Sequence, residues 1–210
     1  MKIYSYLSIS LLVFVLSCAN IQTGTYVQAG RNALLTGNNE PSLAYFQSAV
    51  QTDPNYVYGV EQLRTGVWSY LGRAQYLNGK FAEARTSLER ALSEKTDDNV
   101  ARLYLGMTLV RLSDRQGGLK NIESGMRGIS DYIGYVNNTF STSWGRYWDL
   151  PGTIRSGIQS DLAMITSGKI DWERLLADGE ALGKKMEQER EDVRRQEQDE
   201  LDRKFGRDMR

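Results

Sequence analysis

The sequence predicts an all-α protein: a short solenoid of three helical hairpins, followed by capping helices and a long charged C-terminal helix. Three observations lead to this prediction. Gly72 and Gly106 are 34 residues apart in similar surroundings, and apolar residues recur every three or four positions around them. Residues 169–210 contain 11 basic and 13 acidic side chains, which is typical of a solvated helix.

The composition limits the chemistry that the chain can carry out. Its 210 residues include 26 Lys and Arg, 26 Asp and Glu, one Cys and no His. The balanced charge argues against a nucleic-acid partner, because no surplus remains to neutralise phosphates. Without His or a second Cys, one chain cannot form a Ser-His-Asp or Cys-His site, a His-ligated zinc site, a Cys-based metal cluster or a disulfide.

Residues 1–17 have the form of a secretory signal. Lys2 precedes an apolar run from about Tyr4 to Leu16, and the small Ser17 stands before Cys18. The run is shorter than the roughly 20 residues that a helix needs to cross a bilayer. We therefore expect a signal peptide and not a permanent transmembrane helix.

The segment Val15-Leu16-Ser17-Cys18 resembles a bacterial lipobox. The resemblance implies that Cys18 carries a covalent lipid, that cleavage falls before it, and that 18–22 form the lipidated N-terminus and linker. Ala19 stands where Asp favours inner-membrane retention in that family, which implies the outer membrane, facing the periplasm. The alternative is an ordinary signal with an incidental Cys. No other cofactor and no metal is expected.

Alignment on Gly30, Gly72 and Gly106 defines the three hairpins, with an insertion after the first. The repeats span 23–56, 65–98 and 99–132. In the second repeat an amphipathic helix, a break at Asn78-Gly79 and another amphipathic helix follow one another. The insertion, 57–64, places Val57, Val60 and Leu63 at helical spacing, so we expect the next helix to begin early there.

These windows resemble tetratricopeptide repeats, which are antiparallel helix pairs with small residues at their close crossings. The second repeat matches best, through Trp68, Leu71, Gly72, Gly79, Phe81, Ala84, Leu88 and Ala91. The third is weakest, because Gly125 stands for Ala and the closing Pro is absent. The resemblance implies a protein-binding scaffold and not an enzyme.

The C-terminal third divides into a capping region, 133–170, and a charged helix, 171–210. Trp144, Tyr147 and Trp148 either cover the open apolar end of the third repeat or form an aromatic site that stacks a ligand. Asp149-Leu150-Pro151-Gly152 predicts a helix start. The last helix becomes polar beyond Met186, so we expect a solvated or frayed end.

No residues match a catalytic pattern. Walker A and G-x-S-x-G patterns are absent from the sequence, and we expect Asp97-Asp98 to be solvated loop carboxylates. The concave face that such repeats form from their first helices would bind an extended or helical peptide segment. Its exposed positions would be Val27, Arg31, Leu34, Ser69, Arg73, Tyr76, Tyr104, Met107 and Arg111. Arg31 stands where chaperone-tail binders have Asn, so a chaperone tail gains no support.

The resulting functional hypothesis is a membrane-anchored scaffold or adaptor that binds an envelope protein in a bacterium. One alternative is an envelope solute- or glycan-binding lipoprotein that uses the aromatic cluster Trp144, Tyr147 and Trp148. Another makes the charged tail the active part, in which case deleting 187–210 should leave the fold intact.

Overall fold

The computed structural model describes residues 21–59 and 64–208, with side chains as far as Lys204. Within these ranges the protein is almost entirely helical, which confirms the all-α helical-repeat fold. The helices are α1 (21–36), α2 (Asn39–Thr52), α3 (Val67–Leu77), α4 (Phe81–Glu94), α5 (Asn99–Arg111), α6 (Arg115–Thr139), α7 (Thr153–Thr166) and α8 (Trp172–Asp208). The chain divides into two compact units, Met1–Ala101 and Arg102–Arg210, and the division falls inside α5.

In each of the three repeat pairs, a glycine on the first helix lies where the two helices cross most closely. A Cβ added at Gly30, Gly72 or Gly106 would lie 2.7, 2.5 or 2.5 Å from the nearest atom. In each case that atom belongs to the residue sixteen positions further along the chain, which is Phe46, Leu88 or Ile122. Real Cβ atoms do not approach so closely, so only glycine permits these crossings. The three glycines therefore occupy equivalent places in successive hairpins.

The turn between the two helices is also repeated. Gly37, Gly79 and Ser113 each follow the crossing glycine by seven residues, with φ of 77°, 72° and 71°. Their N–H groups donate to the carbonyls of Leu34, Tyr76 and Val110 at 3.2, 2.9 and 3.0 Å. A residue in the left-handed region ends the first helix and lets the chain reverse. The third repeat makes this turn with a serine.

The core of the first unit lies between α1, α2 and α3. Phe46 stacks on Tyr70 with ring centroids 5.1 Å apart, and both side chains are fully buried. Two asparagines join the hairpins, because Asn78 Nδ2 donates to the Asn39 carbonyl at 2.8 Å and Asn39 Nδ2 to the Leu77 carbonyl at 3.4 Å. The first and second helix pairs are thus joined by both apolar packing and hydrogen bonds to the backbone.

The insertion begins with a strand that pairs with the residues just after it, so the predicted early helix is wrong. Strand β1 (Val57–Tyr58) pairs antiparallel with β2 (Thr65–Gly66), and Val57 lies opposite Gly66. Gly59 has φ of 98°, which no right-handed helix accommodates. The Tyr58 ring also packs edge-on against Tyr70, at 6.5 Å between centroids. The apolar spacing through Val60 and Leu63 involves positions outside the described residues.

In the second unit, α6 is longer than its counterparts. It has 25 residues, whereas α2 and α4 each have 14, so it continues past the predicted repeat end at 132. A 3₁₀ turn (Trp144–Tyr147) follows, and α7 begins after Gly152, at the predicted helix start. The Asp149 carboxylate accepts hydrogen bonds from the N–H groups of Ile154 and Arg155 at 2.8 and 3.1 Å, which caps α7.

Among the helices that the structure describes, none combines the length and the apolar character that a membrane span requires. The predicted signal, 1–17, and Cys18 lie outside the described residues.

Candidate protein-binding surface

Most of the residues predicted to line an open concave surface are buried. Side chains on α1, α3 and α5 are at most 7% exposed at eight of the nine positions, which are Val27, Arg31, Leu34, Ser69, Arg73, Tyr76, Tyr104 and Met107. Arg111 alone is exposed, with 46% of its side chain accessible. The prediction of exposure is therefore wrong for those eight positions.

In the first unit, the strand pair explains the burial of Arg31. Its guanidinium lies 4.2 Å from the centroid of the Tyr58 ring, a cation–π contact. Its Nη1 donates to Gln28 Oε1 at 3.1 Å, and the Tyr58 hydroxyl donates to the same oxygen at 3.0 Å. Tyr58 belongs to the segment predicted as helix, so the sequence offered no reason to place its ring here.

On α3, aromatic rings surround the predicted positions. The Arg73 guanidinium lies 5.5 Å from the Tyr70 ring centroid, and Tyr76 packs against Phe81 at 5.6 Å. Val27, on α1, belongs to the same apolar cluster as Phe46 and Tyr70. These side chains contribute to the packing of the hairpins and do not form an open surface.

In the second unit, α8 packs against the inner face of α5. A Cβ added at Gly179 would lie 2.6 Å from Met107 Sδ, and one at Gly183 would lie 2.5 Å from the Tyr104 ring. Advancing four residues along α8 moves the contact three residues back along α5. The two helices therefore run antiparallel, with glycines where they approach most closely.

The buried stripe of α8 extends from Leu175 to Val193. Its members are Leu175, Leu176, Gly179, Leu182, Gly183, Met186, Glu187 and Val193. The solvated end that the sequence predicts beyond Met186 begins later, because Glu187 and Val193 are still buried, whereas residues 194–199 are exposed. At the start of the interface the Arg115 guanidinium lies 5.4 Å from the Trp172 ring. Further along, Arg111 Nη2 lies 3.9 Å from Glu180 Oε1.

The aromatic cluster does not form an open stacking face. Trp148 is 1% exposed and meets Tyr132 of α6 edge-on at 5.7 Å, whereas Trp144 stacks on Phe140 at 4.6 Å. The Tyr147 hydroxyl donates to Glu200 Oε2 at 2.9 Å, which attaches the 3₁₀ turn to α8. These contacts favour the capping interpretation over a ligand site.

Two carboxylates meet where α7 packs against α8. The pKa of Asp161 is raised to about 6, mainly by burial and also by repulsion from the neighbouring Asp178 carboxylate and a hydrogen bond shared with it. Arg174 opposes this effect, with Nη2 4.0 Å from Asp161 Oδ1 and Nε 3.2 Å from Asp178 Oδ2. In the described ranges, no three Asp, Glu or Cys side chains come together as a metal ion would require.

Asp98 also differs from its expected role. It is 8% exposed, and its Oδ1 accepts a hydrogen bond from the Ala101 N–H at 2.9 Å. This carboxylate caps the start of α5, so the prediction that both Asp97 and Asp98 are solvated is wrong for Asp98.

Comparison with known families agrees with this architecture. Residues 66–98 match the tetratricopeptide repeat family, and the match covers helices α3 and α4. It supports a tetratricopeptide repeat protein, a class whose repeats bind other proteins or peptides. No curated protein matches the chain.

Proposed function

We propose that this protein is a lipoprotein of the bacterial cell envelope that acts as a protein-binding scaffold. The observation that carries the proposal is the tetratricopeptide match over α3 and α4, together with the equivalent glycine crossing at Gly106. Proteins of this repeat class are generally scaffolds and not enzymes. The repeat residues in this chain pack the helices against one another, which supports the role of a frame for a bound partner.

The membrane anchor in this proposal rests on the sequence. Lys2, the apolar run and Cys18 together resemble a lipoprotein signal. Several acyl chains on one residue hold a protein stably at a bilayer, whereas a single chain binds only marginally. With Ala19 after the cysteine, the proposed location is the outer membrane, facing the periplasm.

A partner can reach the repeat frame at the end of α5. Arg111 is the one predicted contact residue that stays exposed, and Glu180 beside it is 38% exposed. A charged, accessible edge next to a buried apolar interface has the anatomy of the rim of a protein-binding site. We do not extend the proposal to glycan binding, because Trp148 is buried and the Tyr147 hydroxyl is bonded to Glu200.

Site-specific photo-crosslinking tests this proposal in intact cells. A photoreactive residue at Arg111 in the lipidated chain should yield one predominant adduct with an envelope protein. The matched control places the same residue at Gln159, an exposed position on α7 in the same unit. Identical adducts from the two positions, or none from Arg111, would count against a scaffold that binds through this end of α5.

A further inference from the structure

The proposed lipid attachment site lies very close to the first helix. Helix α1 is described from Ile21 onward, three residues after Cys18. Consecutive Cα atoms lie about 3.8 Å apart, so the Cα atoms of Cys18 and Ile21 lie at most about 11 Å apart. Acyl chains on Cys18 would insert into the bilayer and hold this residue at its surface. An anchor at Cys18 therefore keeps the first turn of α1 next to the membrane.

Two exposed apolar side chains lie at this end of the first unit. Ile21 is 73% exposed and Val57 is 38% exposed. Tyr56 connects the two positions: a Cβ added at Gly24, one helical turn after Ile21, would lie 2.9 Å from the Tyr56 hydroxyl oxygen. Val57 follows Tyr56 directly and pairs with Gly66, the residue that precedes α3. We call Ile21, Tyr56 and Val57 the N-terminal edge.

The side chains of the N-terminal edge suit the boundary between lipid headgroups and acyl chains. Isoleucine and valine favour an apolar environment, and tyrosine is enriched at membrane interfaces, where its ring is apolar and its hydroxyl stays wet. The nearby charges are of both signs. Lys95 Nζ donates to the Arg64 carbonyl at 2.8 Å, and a Cβ at Gly66 would lie 4.0 Å from Glu94 Oε2. The contact therefore does not require anionic lipids.

The anchor compensates for the small size of this patch. Two or three side chains alone would bind a bilayer weakly, but a short tether makes their binding intramolecular and gives them a high effective concentration at the lipid surface. The other end of α1 has no such advantage. Thr36, at that end, is fifteen residues from Ile21, which places it about 22 Å further along the helix.

We propose that the N-terminal edge is a membrane-contact surface and that its partner is a phospholipid bilayer. The anchored chain rests with Ile21 and Val57 in the headgroup boundary, and the turn at Gly37 points away from the membrane. This inference rests on the lipid anchor of the proposed function and names the orientation of the first unit at the bilayer.

A nitroxide label at Val57→Cys tests this contact. In the lipidated chain the Cys18 sulfur is bonded to lipid, so the label reacts with the new cysteine. In phosphatidylcholine vesicles the nitroxide should collide with a water-soluble nickel chelate about threefold less often than in the same labelled chain with Cys18→Ser in solution, because the headgroups exclude the chelate. Equal collision rates in the two chains would overturn the proposal.

The matched control is Thr36→Cys, which is exposed at the other end of α1. Its label should collide with the chelate equally often in the lipidated and the soluble chain. Protection at Thr36 as strong as at Val57 would also overturn the proposal, because it would show that the chain has no preferred orientation. If Val57→Cys fails to fold by circular dichroism, Asn55→Cys, exposed just before β1, replaces it with the same expected result.

A chain with one fatty acid measures the strength of the contact. A single 14-carbon chain coupled to Cys18 of the mature protein binds only marginally, so a further contact becomes measurable. Ile21→Asp should lower partition into phosphatidylcholine vesicles about fivefold. Asn32→Asp, which makes the same change in charge at an exposed position of α1, should leave it unchanged. Partition of the unchanged chain only into vesicles with phosphatidylglycerol would contradict an apolar contact.

These measurements separate this inference from the proposed function. A lipidated chain whose Val57 label stays accessible in vesicles refutes the membrane-contact surface and leaves the anchored scaffold standing. Absence of lipid on Cys18 in cells contradicts the proposed anchor, whereas the chain with one coupled fatty acid still reports whether the N-terminal edge binds a bilayer.

Discussion

At the scale of single residues, glycine permits both the close helix crossings of the three repeats and the left-handed turns of the first two. The repeat pattern predicts small residues at the close crossings, and a Cβ added at Gly72 would lie 2.5 Å from Leu88 Cγ. The third turn has no glycine to mark it in the sequence. Ser113 adopts φ of 71° there, where the other two repeats have glycine. The packing of the hairpin imposes this conformation against the local preference of serine.

Ser113→Gly should therefore stabilise the protein. A residue with a Cβ pays about 1–2 kcal/mol to adopt the left-handed conformation, so we expect the free energy of unfolding to rise by about 1 kcal/mol. The reverse substitution is Gly79→Ser. Gly79 has φ of 72°, and an added Cβ would meet nothing within 4 Å, so the change should lower stability by a similar amount through backbone strain alone. Urea unfolding measures both changes, and a neutral Ser113→Gly would show that the third turn is unstrained.

The buried Asp161 carboxyl, which lies beside the partly exposed Asp178, should make stability depend on pH. The pKa of Asp161 lies at about 6 in the folded protein, above its usual 3.8. Between these values the folded state binds more protons than the unfolded state, so stability falls as pH rises from about 4 to 6. Asp161→Asn keeps the hydrogen bond to Asp178 without a titrating proton, so it should remove this contribution.

Melting temperatures at pH 5 and pH 7.5 test this dependence. Relative to Asp161→Asn, the unchanged protein should lose stability on going from pH 5 to pH 7.5. Asp131→Asn, at an exposed position on α6, is the control and should follow the unchanged protein. Parallel profiles for the unchanged protein and Asp161→Asn would show that the carboxylate pair does not titrate in this range.

At the scale of elements, α8 shows how a sequence pattern can mislead. The sequence of α8 becomes polar beyond Met186, and Gly179 is a residue type that ordinarily weakens a helix interior. In the structure that glycine lies at the point of closest approach to Met107. Two glycines four residues apart on one helix face were the available signal for this contact, but their significance depends on a partner helix far away in the sequence.

Truncations of α8 should separate its packed half from its solvated half. Ending the chain at Met186 removes the buried Val193 side chain and the hydrogen bond that Glu189 Oε1 accepts from the Asp149 N–H at 2.6 Å. We expect a loss of about 2–4 kcal/mol. Deletion of 187–210 should therefore destabilise the protein, and not leave its stability unchanged.

Ending the chain at Gln196 is the matched control for this loss. It removes the contacts of Glu200 with the Tyr147 hydroxyl and with Arg146, whose side chain is 41% exposed, and should cost about 1 kcal/mol, less than the shorter chain loses. Chemical denaturation of the two truncated chains measures the difference. Equal losses would show that Val193 contributes no more to stability than the exposed end of the helix.

At the scale of the whole molecule, the sequence predicts the helical architecture but not the accessible surface. The class of fold follows from local periodicity and from repetition, both of which one chain displays. Burial of Arg31 and Tyr104 depends instead on the strand pair and on α8, which reach these residues from distant parts of the sequence. A prediction of exposure therefore fails wherever an element outside the repeats covers them.

The proposed membrane anchor depends on one atom, the thiol sulfur of Cys18. The lipobox chemistry requires the thiol of Cys18, so Cys18→Ser should prevent lipidation and shift the protein from the membrane fraction to the soluble fraction. Metabolic labelling with a radioactive fatty acid, followed by fractionation, measures both effects. Ser17→Ala keeps a small residue before the cysteine and should remain labelled. Membrane association of Cys18→Ser equal to that of the unchanged chain would contradict the lipid anchor.

The β1–β2 pair also bears on how this protein can be engineered and how it can diverge. Val57 lies opposite Gly66, and the Val67 N–H donates to the Tyr56 carbonyl at 3.0 Å, so the chain returns to its point of departure before α3 begins. The number of residues between the two strands therefore need not affect the spacing of the first and second helix pairs. A reporter peptide or an affinity tag inserted between the two strands would lengthen only this connection and leave the packing of α2 against α3 unchanged.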